Sequence, residues 1–334
     1  ASIIGGVALD STALDAVGSL VTIYRYSGGQ VSYSSPFCTG TLISKRQVLS
    51  AEHCVRDSGR GQEYGFAIGA DGRRPRKVIP VAVVDIEQSV TGGYLGLGSD
   101  VAVLHLGEPV EDVTPFAVGQ LTADDVGRRF VGVGYGSQDT QGTSGTRRGG
   151  SMTFGGTGGR LFERSFGSFE NFLAAVPSIE DLRWEVGDVT TELGKQRARE
   201  VYDRRVLLDE HEGFFGYREG DAQACHGDSG GPIFRVVDGK RTVFGVTSWG
   251  THRFGAFCDF GGVYAVLSPT VYAFVEKSLA WVDPCDGLPQ AGRCEGTVAV
   301  RCSTLREGVR RRLAAECADP LVCGAGADGQ VNCQ

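Results

Sequence analysis

One short stretch of the sequence has the residue types of a nucleophilic turn. Residues 227–232 read GDSGGP, which places an aspartate and a serine among glycines and ends in a proline. Glycine accepts positive φ angles and lets a substrate approach the backbone, so the chain can bend sharply and present one hydroxyl. A serine hydroxyl is a poor nucleophile until a neighbouring base removes its proton. The stretch therefore predicts nucleophilic chemistry at Ser229 if the chain also supplies a base.

Two further stretches supply a base and a carboxylate. Residues 49–54 read LSAEHC and place His53 at the end of a strand-like run, beside a cysteine. Residues 98–104 read GSDVAVL and place Asp100 directly before an apolar strand. A histidine oriented by a carboxylate can take the serine proton and later return it. We therefore expect His53, Asp100 and Ser229 to meet in the folded chain.

The segments around these residues favour strands. Runs rich in Val, Ile, Leu and Thr, broken by Gly, Ser and Pro, are typical of short strands. Such runs lie at 19–24, 37–43, 47–51, 64–69, 78–87, 101–106, 233–237, 242–248 and 262–267. No long amphipathic pattern occurs in the first 160 residues. The pattern predicts an all-β fold of closed barrels or sandwiches.

Three segments differ from this pattern. Residues 269–279 have helical spacing with a proline at the start. Residues 179–213 hold ten acidic and six basic residues, which indicates one or two charged surface helices inserted before the serine turn, with His211 solvated. Residues 137–159 are rich in Gly, Ser, Thr and Arg, which predicts a mobile surface loop with a proteolytic nick site at Arg147-Arg148.

Composition limits the function classes. The 334 residues carry a net charge of −7, which argues against a dedicated nucleic-acid binder, and no apolar run reaches membrane-spanning length. Six of the ten cysteines crowd the last fifty residues, which favours disulfide stapling in an oxidising compartment. Zinc is disfavoured there because the tail has neither a paired C-x-x-C nor a histidine. Six cysteines allow fifteen pairings, and the sequence does not choose among them.

These motifs, in this order and with residues 3–6 reading IIGG, resemble the chymotrypsin/trypsin-like serine peptidase family over about residues 3–280. The resemblance implies an all-β domain over residues 1–282, with two Greek-key β-barrels and a C-terminal helix. The charged insertion at about 179–213 would interrupt this domain. A small disulfide-stapled module would occupy residues 283–334.

The resemblance also implies roles for individual residues. Ser229 would be the nucleophile, His53 the general base and then the general acid, and Asp100 the buried carboxylate that fixes the histidine tautomer. The N–H groups of Gly227 and Ser229 would form the oxyanion hole. Two disulfides of the family match cysteines of this chain, Cys38–Cys54 and Cys225–Cys258.

A pocket for the substrate side chain is implied in the same way. Gln223 matches the base of the primary specificity pocket, and Gly250 and Gly262 match its walls. A neutral amide cannot compensate a buried Arg or Lys, and two glycines leave room for a large side chain. We therefore predict preference for an uncharged residue before the scissile bond, either large and apolar or of the amide type. The other implied substrate contacts are His226 at the cleft rim and Ser248 and Trp249, which with Gly250 would pair with substrate backbone.

Activation is expected to involve the N-terminal segment. In the family, the free amino group of the residue that matches Ile3 folds inward and pairs with the aspartate that matches Asp228. Here Ala1 and Ser2 precede Ile3, so its nitrogen is an uncharged amide. We therefore expect a precursor that is cut before Ile3 by a non-tryptic activating protease, or else a chain with an artificial start.

The combined expectation is a secreted serine endopeptidase that works through an acyl-enzyme, without a metal or cofactor. Its expected partners are protein or peptide substrates and an activating protease. The C-terminal module would bind a surface or a partner, or resist proteolysis. Two alternatives are a catalytically silent binding or adhesion protein on the same scaffold, and an enzyme of narrow specificity whose insertion gates the cleft.

Overall fold

The computed structural model describes residues 3–56, 62–87, 99–137, 144–250, 258, 261–280, 285–304 and 310–334. Most of the regular secondary structure in the described chain is strand, and twelve of the strands form two closed antiparallel barrels of six strands each. The prediction of an all-β fold with two barrels is therefore confirmed.

The first barrel is formed by strands from the N-terminal third of the chain. The strands of this part are β1 (Val7–Ala8), β2 (Val17–Arg25), β3 (Val31–Tyr33), β4 (Cys38–Leu42), β5 (Gln47–Ser50), β6 (Glu63–Ile68), β7 (Lys77–Ile86) and β8 (Ala102–Leu106). Hydrogen bonds join them in the order β2-β4-β5-β8-β7-β6, and β6 pairs again with β2 to close the ring. Leu20, Phe66 and Leu104 are fully buried in its core.

The second barrel is formed by strands from the middle of the chain. The strands of this part are β9 (Ala117–Val118), β10 (Arg129–Gly134), β11 (Arg148–Thr157), β12 (Gly159–Arg160), β13 (Val206–Leu207), β14 (Glu212–Phe215), β15 (Pro232–Val237), β16 (Lys240–Gly250) and β17 (Gly262–Val266). β12 and β13 pair with each other in a separate two-stranded sheet. The ring order is β10-β11-β14-β17-β16-β15, with β1 added at β11 and β9 at β16. Aromatic rings fill its core, and the Phe154 and Phe215 rings lie 4.8 Å apart.

The two barrels have the same Greek-key connectivity. If the six strands of each ring are lettered a to f in chain order, both rings read a-b-c-f-e-d. The rings differ in the connection between strands b and c. In the first barrel it is a tight turn after β4, and in the second it runs from residue 158 to residue 211.

That long connection in the second barrel is mainly helical. It contains α1 (Leu161–Phe166), α2 (Phe169–Ala175), α3 (Glu180–Val186) and α4 (Glu192–Arg204). Phe162, Phe172 and Tyr202 are buried together and pack on Phe214 and Val263 of the barrel. We call this helical segment, residues 161–208, the helical insert.

The helical insert begins earlier than the charge pattern predicted. The sequence indicated helices only from residue 179, because charge density rises there, whereas α1 and α2 begin at Leu161 and Phe169. These two short helices are specified by aromatic side chains at three- and four-residue spacing, which bury one face. In α4 the charged side chains face outward while Ala198 and Val201 are buried, as expected for a surface helix.

The last helix joins the two barrels. It is α5 (Pro269–Leu279), and it matches the predicted helix at both ends. Val271 and Val275 belong to a buried apolar cluster that contains residues of both barrels. Ser278 Oγ donates a hydrogen bond of 3.2 Å to Asp85 at the end of β7. None of the described helices is long and apolar enough to cross a bilayer.

The expectation of a nick site at Arg147-Arg148 is wrong. Residues 138–143 lie outside the described part, but Arg147 is fully buried and Arg148 is the first residue of β11. The Arg147 guanidinium donates to a group of acceptors in the N-terminal segment, which are the carbonyls of Leu9, Ser11, Leu14 and Val17 and the carboxylate of Asp15. Arg147 therefore fastens the N-terminal segment to the second barrel.

The C-terminal module consists of two small sheets held by three disulfides. Its strands are β18 (Arg293–Glu295), β19 (Val298–Thr304), β20 (Arg310–Glu316), β21 (Cys323–Ala325) and β22 (Val331–Cys333). The disulfides are Cys285–Cys302, Cys294–Cys323 and Cys317–Cys333. Among the described residues of the module, few apolar side chains are buried, and the buried cluster is Ala299, Cys317 and Val331, so we expect the disulfides to supply much of its stability. Strand β20 lies against β7 of the first barrel, where Leu313 and Val83 line one crevice.

Candidate active site

His53 and Asp100 are brought together by one pair of strands. β5 and β8 are antiparallel neighbours with Ser50 opposite Ala102, so the residues after Ser50 and before Ala102 lie at the same end of the barrel. His53 occupies a short helical turn after β5, and its Nδ1 lies 2.9 Å from Asp100 Oδ2. The backbone N–H of His53 also donates to Asp100 Oδ1 at 2.9 Å. Both the ring and the backbone of His53 are therefore fixed by one carboxylate.

The environments of the two side chains differ in a way that suits acid–base chemistry. Asp100 is almost fully buried, whereas 29% of the His53 side chain is exposed. Because Nδ1 faces the carboxylate, the Nδ1–H tautomer is favoured and Nε2 is left as the basic nitrogen. The carboxylate also stabilises the imidazolium that forms when Nε2 takes a proton.

A hydroxyl group of the second barrel also contacts Asp100. Ser248 Oγ, at the end of β16, donates a short hydrogen bond to Asp100 Oδ2. The family resemblance implied only a backbone contact with substrate for Ser248 and no role for its side chain. Residues 100 and 248 are far apart in sequence and no local pattern links them, so only the three-dimensional packing reveals this contact.

The serine turn is attached to the strands that lead to His53. The carbonyl of Ser229 accepts the Thr39 N–H at 2.8 Å, and Thr39 Oγ1 donates to the Gly227 carbonyl at 3.0 Å. Gly230 has a φ of +78°, and a Cβ there would overlap Ser50 Oγ and the Thr39 carbonyl. Only glycine fits this approach, which sets Ser229 beside the turn that carries His53.

Two disulfides brace the site. Cys38 of β4 is bonded to Cys54, which follows His53, and Cys225 is bonded to Cys258. The first bond joins the strand that holds the serine turn to the turn that holds the histidine. The only cluster of metal-ligating residue types among the described residues is Cys38, His53 and Cys54, and its two sulfurs are already bonded to each other. That cluster does not fit a metal ion.

Asp228 is fully buried beneath the serine turn. Its Oδ2 accepts the N–H groups of Ile3 at 3.0 Å and Cys225 at 2.8 Å, and its Oδ1 accepts the Gly136 N–H at 2.8 Å. Burial raises the pKa of Asp228 to about 6, although the three amide donors act in the opposite direction. The carboxylate is thus held by neutral amide donors.

The N-terminal segment reaches this carboxylate in a strained conformation. Ile3 is fully buried, and its φ is +47°, which is a rare value for a β-branched residue. The next residue, Ile4, forms a bridge with Gln223 through two backbone hydrogen bonds of 2.7 and 2.9 Å. The segment therefore contacts both Asp228 and the base of the predicted specificity pocket.

The side chain of Gln223 is held by backbone groups on both sides. Its Nε2 donates to the Gly216 carbonyl at 2.6 Å, and its Oε1 accepts the Gly261 N–H at 2.9 Å. Nearby Asp221 is buried and accepts hydrogen bonds from Thr153 and Arg218. The Asp221 carboxylate is therefore already engaged by these donors. Asp259, the other acidic residue near this position in sequence, lies outside the described residues.

The predicted wall residues lie on paired strands. Gly250 is opposite Gly262 in the β16–β17 ladder, and a Cβ on Gly262 would meet no atom closer than 3.5 Å. Trp249 and Val263 also pack on the helical insert, so the insert supports this side of the pocket. His226 is exposed, as expected for a residue at the rim of the cleft.

The expectation that His211 is solvated is wrong. His211 is 8% exposed, and its Nδ1 lies 2.7 Å from the hydroxyl of Ser99, the residue before Asp100. Sequence reasoning placed His211 in a charged surface segment, but that segment ends in a turn that enters the barrel interface. Only the fold brings residues 112 positions apart into contact.

Comparisons with known proteins agree with this geometry. The sequence model of the trypsin family matches residues 20–160 and 185–282. A trypsin-like protease of Streptomyces glaucescens is 27% identical over 259 residues, which is 74% of this chain and 81% of that protein. The solved structure of neuropsin, a serine protease expressed in the limbic system of mouse brain, superposes with a TM-score of 0.54 at 19% identity, covering 83% of this chain and 100% of neuropsin.

The two unmatched parts of the chain are informative. The family match is interrupted between residues 160 and 185, where α1, α2 and the start of α3 lie, and it ends at residue 282, before the C-terminal module. The family therefore accounts for both barrels and the last helix, while the first part of the helical insert and the module are additions. With two barrels of the same connectivity and a family match over more than half of its length, the chain belongs to the trypsin family of serine peptidases.

Proposed function

We propose that this protein is a serine endopeptidase in which Ser229, His53 and Asp100 act as a catalytic triad. The observation that carries the proposal is the double hydrogen bond from His53 to Asp100, which holds the imidazole with Nε2 free to act as a base. His53 Nε2 takes the proton from Ser229 Oγ as the oxygen attacks the scissile carbonyl. His53 then donates that proton to the leaving amine, and a water molecule hydrolyses the acyl-enzyme by the same route.

The negative oxygen of the tetrahedral intermediate is bound by the N–H groups of Gly227 and Ser229. Support comes from the turn itself, because Gly227 has a φ of +92° and Asp228 accepts the Cys225 N–H from within the turn. Such pre-oriented donors stabilise the developing charge without reorganising, and one donor contributes roughly 10²–10³-fold in rate.

The substrate carries an uncharged side chain before the scissile bond. Gln223 contributes an amide whose two polar groups are already engaged by Gly216 and Gly261, and Asp221 is engaged elsewhere. A guanidinium or ammonium buried there would lose its hydration without gaining a counter-charge. The glycine pair at positions 250 and 262 leaves room for a large apolar or amide side chain.

Cleavage before Ile3 completes the site. In the uncut chain Ile3 reaches Asp228 with a neutral amide and a φ of +47°, a strain of roughly 1–3 kcal/mol. Cutting the Ser2–Ile3 bond removes the preceding carbonyl, and with it the strain. It also replaces the amide by an ammonium group that pairs with the buried carboxylate.

We further propose that the protein acts outside the cell. Five disulfides, three of them in the C-terminal module, fit an oxidising compartment. The module would bind a surface or a partner protein. We expect the partner of the module to be another molecule of the same extracellular compartment.

A fluorophosphonate probe tests the catalytic proposal. We expect stoichiometric labelling of Ser229 in the chain cut before Ile3, slower labelling in the uncut chain, and none in Ser229→Ala. A peptide library varied at the residue before the scissile bond should then show preference for uncharged side chains. Absence of labelling in the cut chain would instead indicate a binding or adhesion protein on a peptidase scaffold, and a dominant Arg or Lys preference would refute the pocket assignment.

A further inference from the structure

A chain of three buried polar side chains lies directly behind Asp100. Ser99 is 0% exposed, Glu87 4% and His211 8%. Ser99 Oγ lies 2.5 Å from Glu87 Oε2 and 2.7 Å from His211 Nδ1. None of these residues has a role in the proposed proton transfers. Burying polar groups lowers the free energy of unfolding unless they are fully hydrogen-bonded, so a buried network of this kind suggests a functional role.

The direction of the hydrogen bonds follows from the number of protons that the Ser99 hydroxyl can donate. The Ser99 hydroxyl has one proton, which it donates to the Glu87 carboxylate. The lone pair of Ser99 Oγ must then accept, so His211 Nδ1 carries a proton and donates it. The network therefore runs from His211 through Ser99 to Glu87, and it requires a donor at the Nδ1 position.

His211 is fixed by the second barrel. Its carbonyl accepts the Val266 N–H of β17 at 3.0 Å, and its N–H donates to the Leu208 carbonyl at 3.2 Å. Glu212 closes the same turn, because its carboxylate accepts the Leu208 N–H at 2.7 Å. The imidazole is thus presented by a rigid turn at the end of the helical insert.

The other end of the network holds a strained part of the first barrel. Asp100 has a φ of +46°, a left-handed conformation that persists only where the surroundings impose it. Glu87 donates its backbone N–H to the Val101 carbonyl at 3.0 Å and receives the Ser99 hydroxyl on its side chain. Residues 99 and 101 on either side of Asp100 are therefore both bound to Glu87.

We propose that His211 is a positioning residue for Asp100, acting through Ser99 and Glu87 to hold the carboxylate in register with His53. The inference rests on the proposed peptidase function. It also makes the site depend on the helical insert, since the turn that carries His211 is the point where the insert rejoins the barrel.

The acidic surroundings make this donor useful. Glu52, next to His53, is half-buried, and burial raises its pKa while Arg56 opposes the rise and the charges of Asp100 and Glu87 add to it. The charges of Asp100 and Glu87 thus both act on the Glu52 carboxylate beside His53. A donor from His211 holds Ser99 so that its proton remains directed to Glu87 rather than toward Asp100.

The test compares two substitutions at position 211 in the full chain. His211→Leu removes the donor with little change in volume, whereas His211→Asn places an amide N–H close to the Nδ1 position. We expect His211→Leu to lower kcat about tenfold with KM within twofold, and His211→Asn to restore kcat to within threefold. Ser99→Ala should lower kcat like His211→Leu, and the double variant should be no worse than either single one.

A matched control is the other buried histidine of this barrel region. His105 lies in β8, five positions after Asp100 in the chain, and its Nε2 lies 2.9 Å from Asp85 Oδ2. His105→Leu should lower the thermal midpoint as His211→Leu does while kcat stays within twofold. Equal kcat losses in both variants would mean that His211 acts only on stability and would overturn the proposal.

A spectroscopic measurement separates this inference from the proposed function. The low-field ¹H resonance of the hydrogen bond between His53 Nδ1 and Asp100 should be lost or shifted in His211→Leu and retained in His211→Asn. This readout needs no turnover, so it tests positioning even if no substrate is cleaved. An unchanged resonance together with an unchanged acid limb of the pH–rate profile in His211→Leu would refute the inference. Failure of wild-type Ser229 to react with a fluorophosphonate would refute the proposed function alone.

Discussion

The two barrels share one strand order but contribute differently to the site. The first barrel supplies His53 and Asp100 from a single pair of neighbouring strands, and its b–c connection is a tight turn. The second barrel supplies Ser229 and Ser248, and its b–c connection extends to 54 residues between positions 158 and 211. The closed ring therefore tolerates either connection, because the hydrogen-bonded ladder of the ring does not depend on the b–c segment. The long connection is free to carry new contacts across the interface.

The buried carboxylates of the two barrels also have different hydrogen-bond partners. Asp100 of the first barrel faces an imidazole that can take a proton and become a counter-charge. Asp228, in the turn before the second barrel's strand β15, accepts hydrogen bonds from three backbone N–H groups of the described residues, and burial raises its pKa to about 6. Asp100 therefore already has a partner that can become positively charged, whereas a positive charge beside Asp228 would stabilise the ionised form of its carboxylate.

The largest expected effect comes from the carboxylate of the first barrel. Asp100→Asn keeps the volume but presents an amide to His53, which favours the wrong imidazole tautomer. We expect kcat to fall roughly 10⁴-fold at neutral pH with little change in the unfolding midpoint. Steady-state kinetics on a peptide substrate measures the loss.

The matched variant removes the contribution of the second barrel to the same carboxylate. Ser248→Ala deletes one hydrogen bond to Asp100 Oδ2 and leaves both bonds from His53. A loss of roughly ten- to hundredfold in kcat is expected, since a hydrogen bond to a charged group contributes about 1.5–3 kcal/mol. If Ser248→Ala were as damaging as Asp100→Asn, the barrels would share the orientation of His53 equally and the contrast would not hold.

A large stability effect is expected where the barrels touch. Gly230→Ala would drive a Cβ into Ser50 Oγ and the Thr39 carbonyl at a φ of +78°. We expect a loss of roughly 3 kcal/mol or more in the free energy of unfolding and a displaced serine turn. Gly239→Ala is the control, because its φ is +76° but no atom lies within 4 Å of the added carbon. It should cost only the backbone strain, roughly 1–2 kcal/mol. Similar losses in urea unfolding would mean that the close approach at Gly230 contributes nothing.

The sequence predicted the parts of this comparison that depend on local pattern. Runs rich in Val, Ile, Leu and Thr indicated the strands, a proline followed by helical spacing indicated α5, and the motifs around His53, Asp100 and Ser229 lie together at one end of the barrels. Contacts across the interface between the two barrels could not be predicted from local sequence patterns. The side chains of Ser248 and His211 reach the Asp100 loop only because of sheet register and insert packing, which no local spacing encodes.

The start of the helical insert shows the same limit. Charge density drew attention to residue 179, whereas the aromatic cluster of Phe162 and Phe172 defines the earlier helices. Each of those helices is too short for a clear periodic signal, and their stability comes from burial against Phe214 and Val263. Aromatic spacing at three and four residues was the available signal.

The pH dependence of stability should distinguish the two buried carboxylates. The pKa of Asp228 in the folded uncut chain, about 6, lies above its ordinary value of 3.8. Between these values the folded chain binds more protons than the unfolded chain, so its stability falls as pH rises from about 4 to 7. The full shift corresponds to roughly 3 kcal/mol.

Comparing unfolding midpoints across this pH range in three proteins isolates the effect. The uncut chain should show the decline, whereas Asp228→Asn should lack this component because the amide does not titrate. The chain cut before Ile3 should show less of it, since an ammonium group lowers the pKa of the carboxylate beside it. Equal slopes in the cut and uncut chains would argue against pairing of Ile3 with Asp228 after cleavage.

The smallest expected effect concerns the helix that links the second barrel to the first. Ser278 of α5 is buried and donates to Asp85 of β7 at 3.2 Å, so Ser278→Ala leaves that carboxylate one donor short. We expect a loss of about 1 kcal/mol in the free energy of unfolding, with kcat unchanged. Thr270→Ala, at an exposed position of the same helix, should change stability by no more than about 0.5 kcal/mol. Because both variants end in alanine on one helix, helix propensity alone would make them alike. A larger loss of unfolding free energy at position 278 than at position 270 would therefore measure the attachment of α5 to the first barrel. A single urea transition in Ser278→Ala would mean that the two barrels still unfold as one unit.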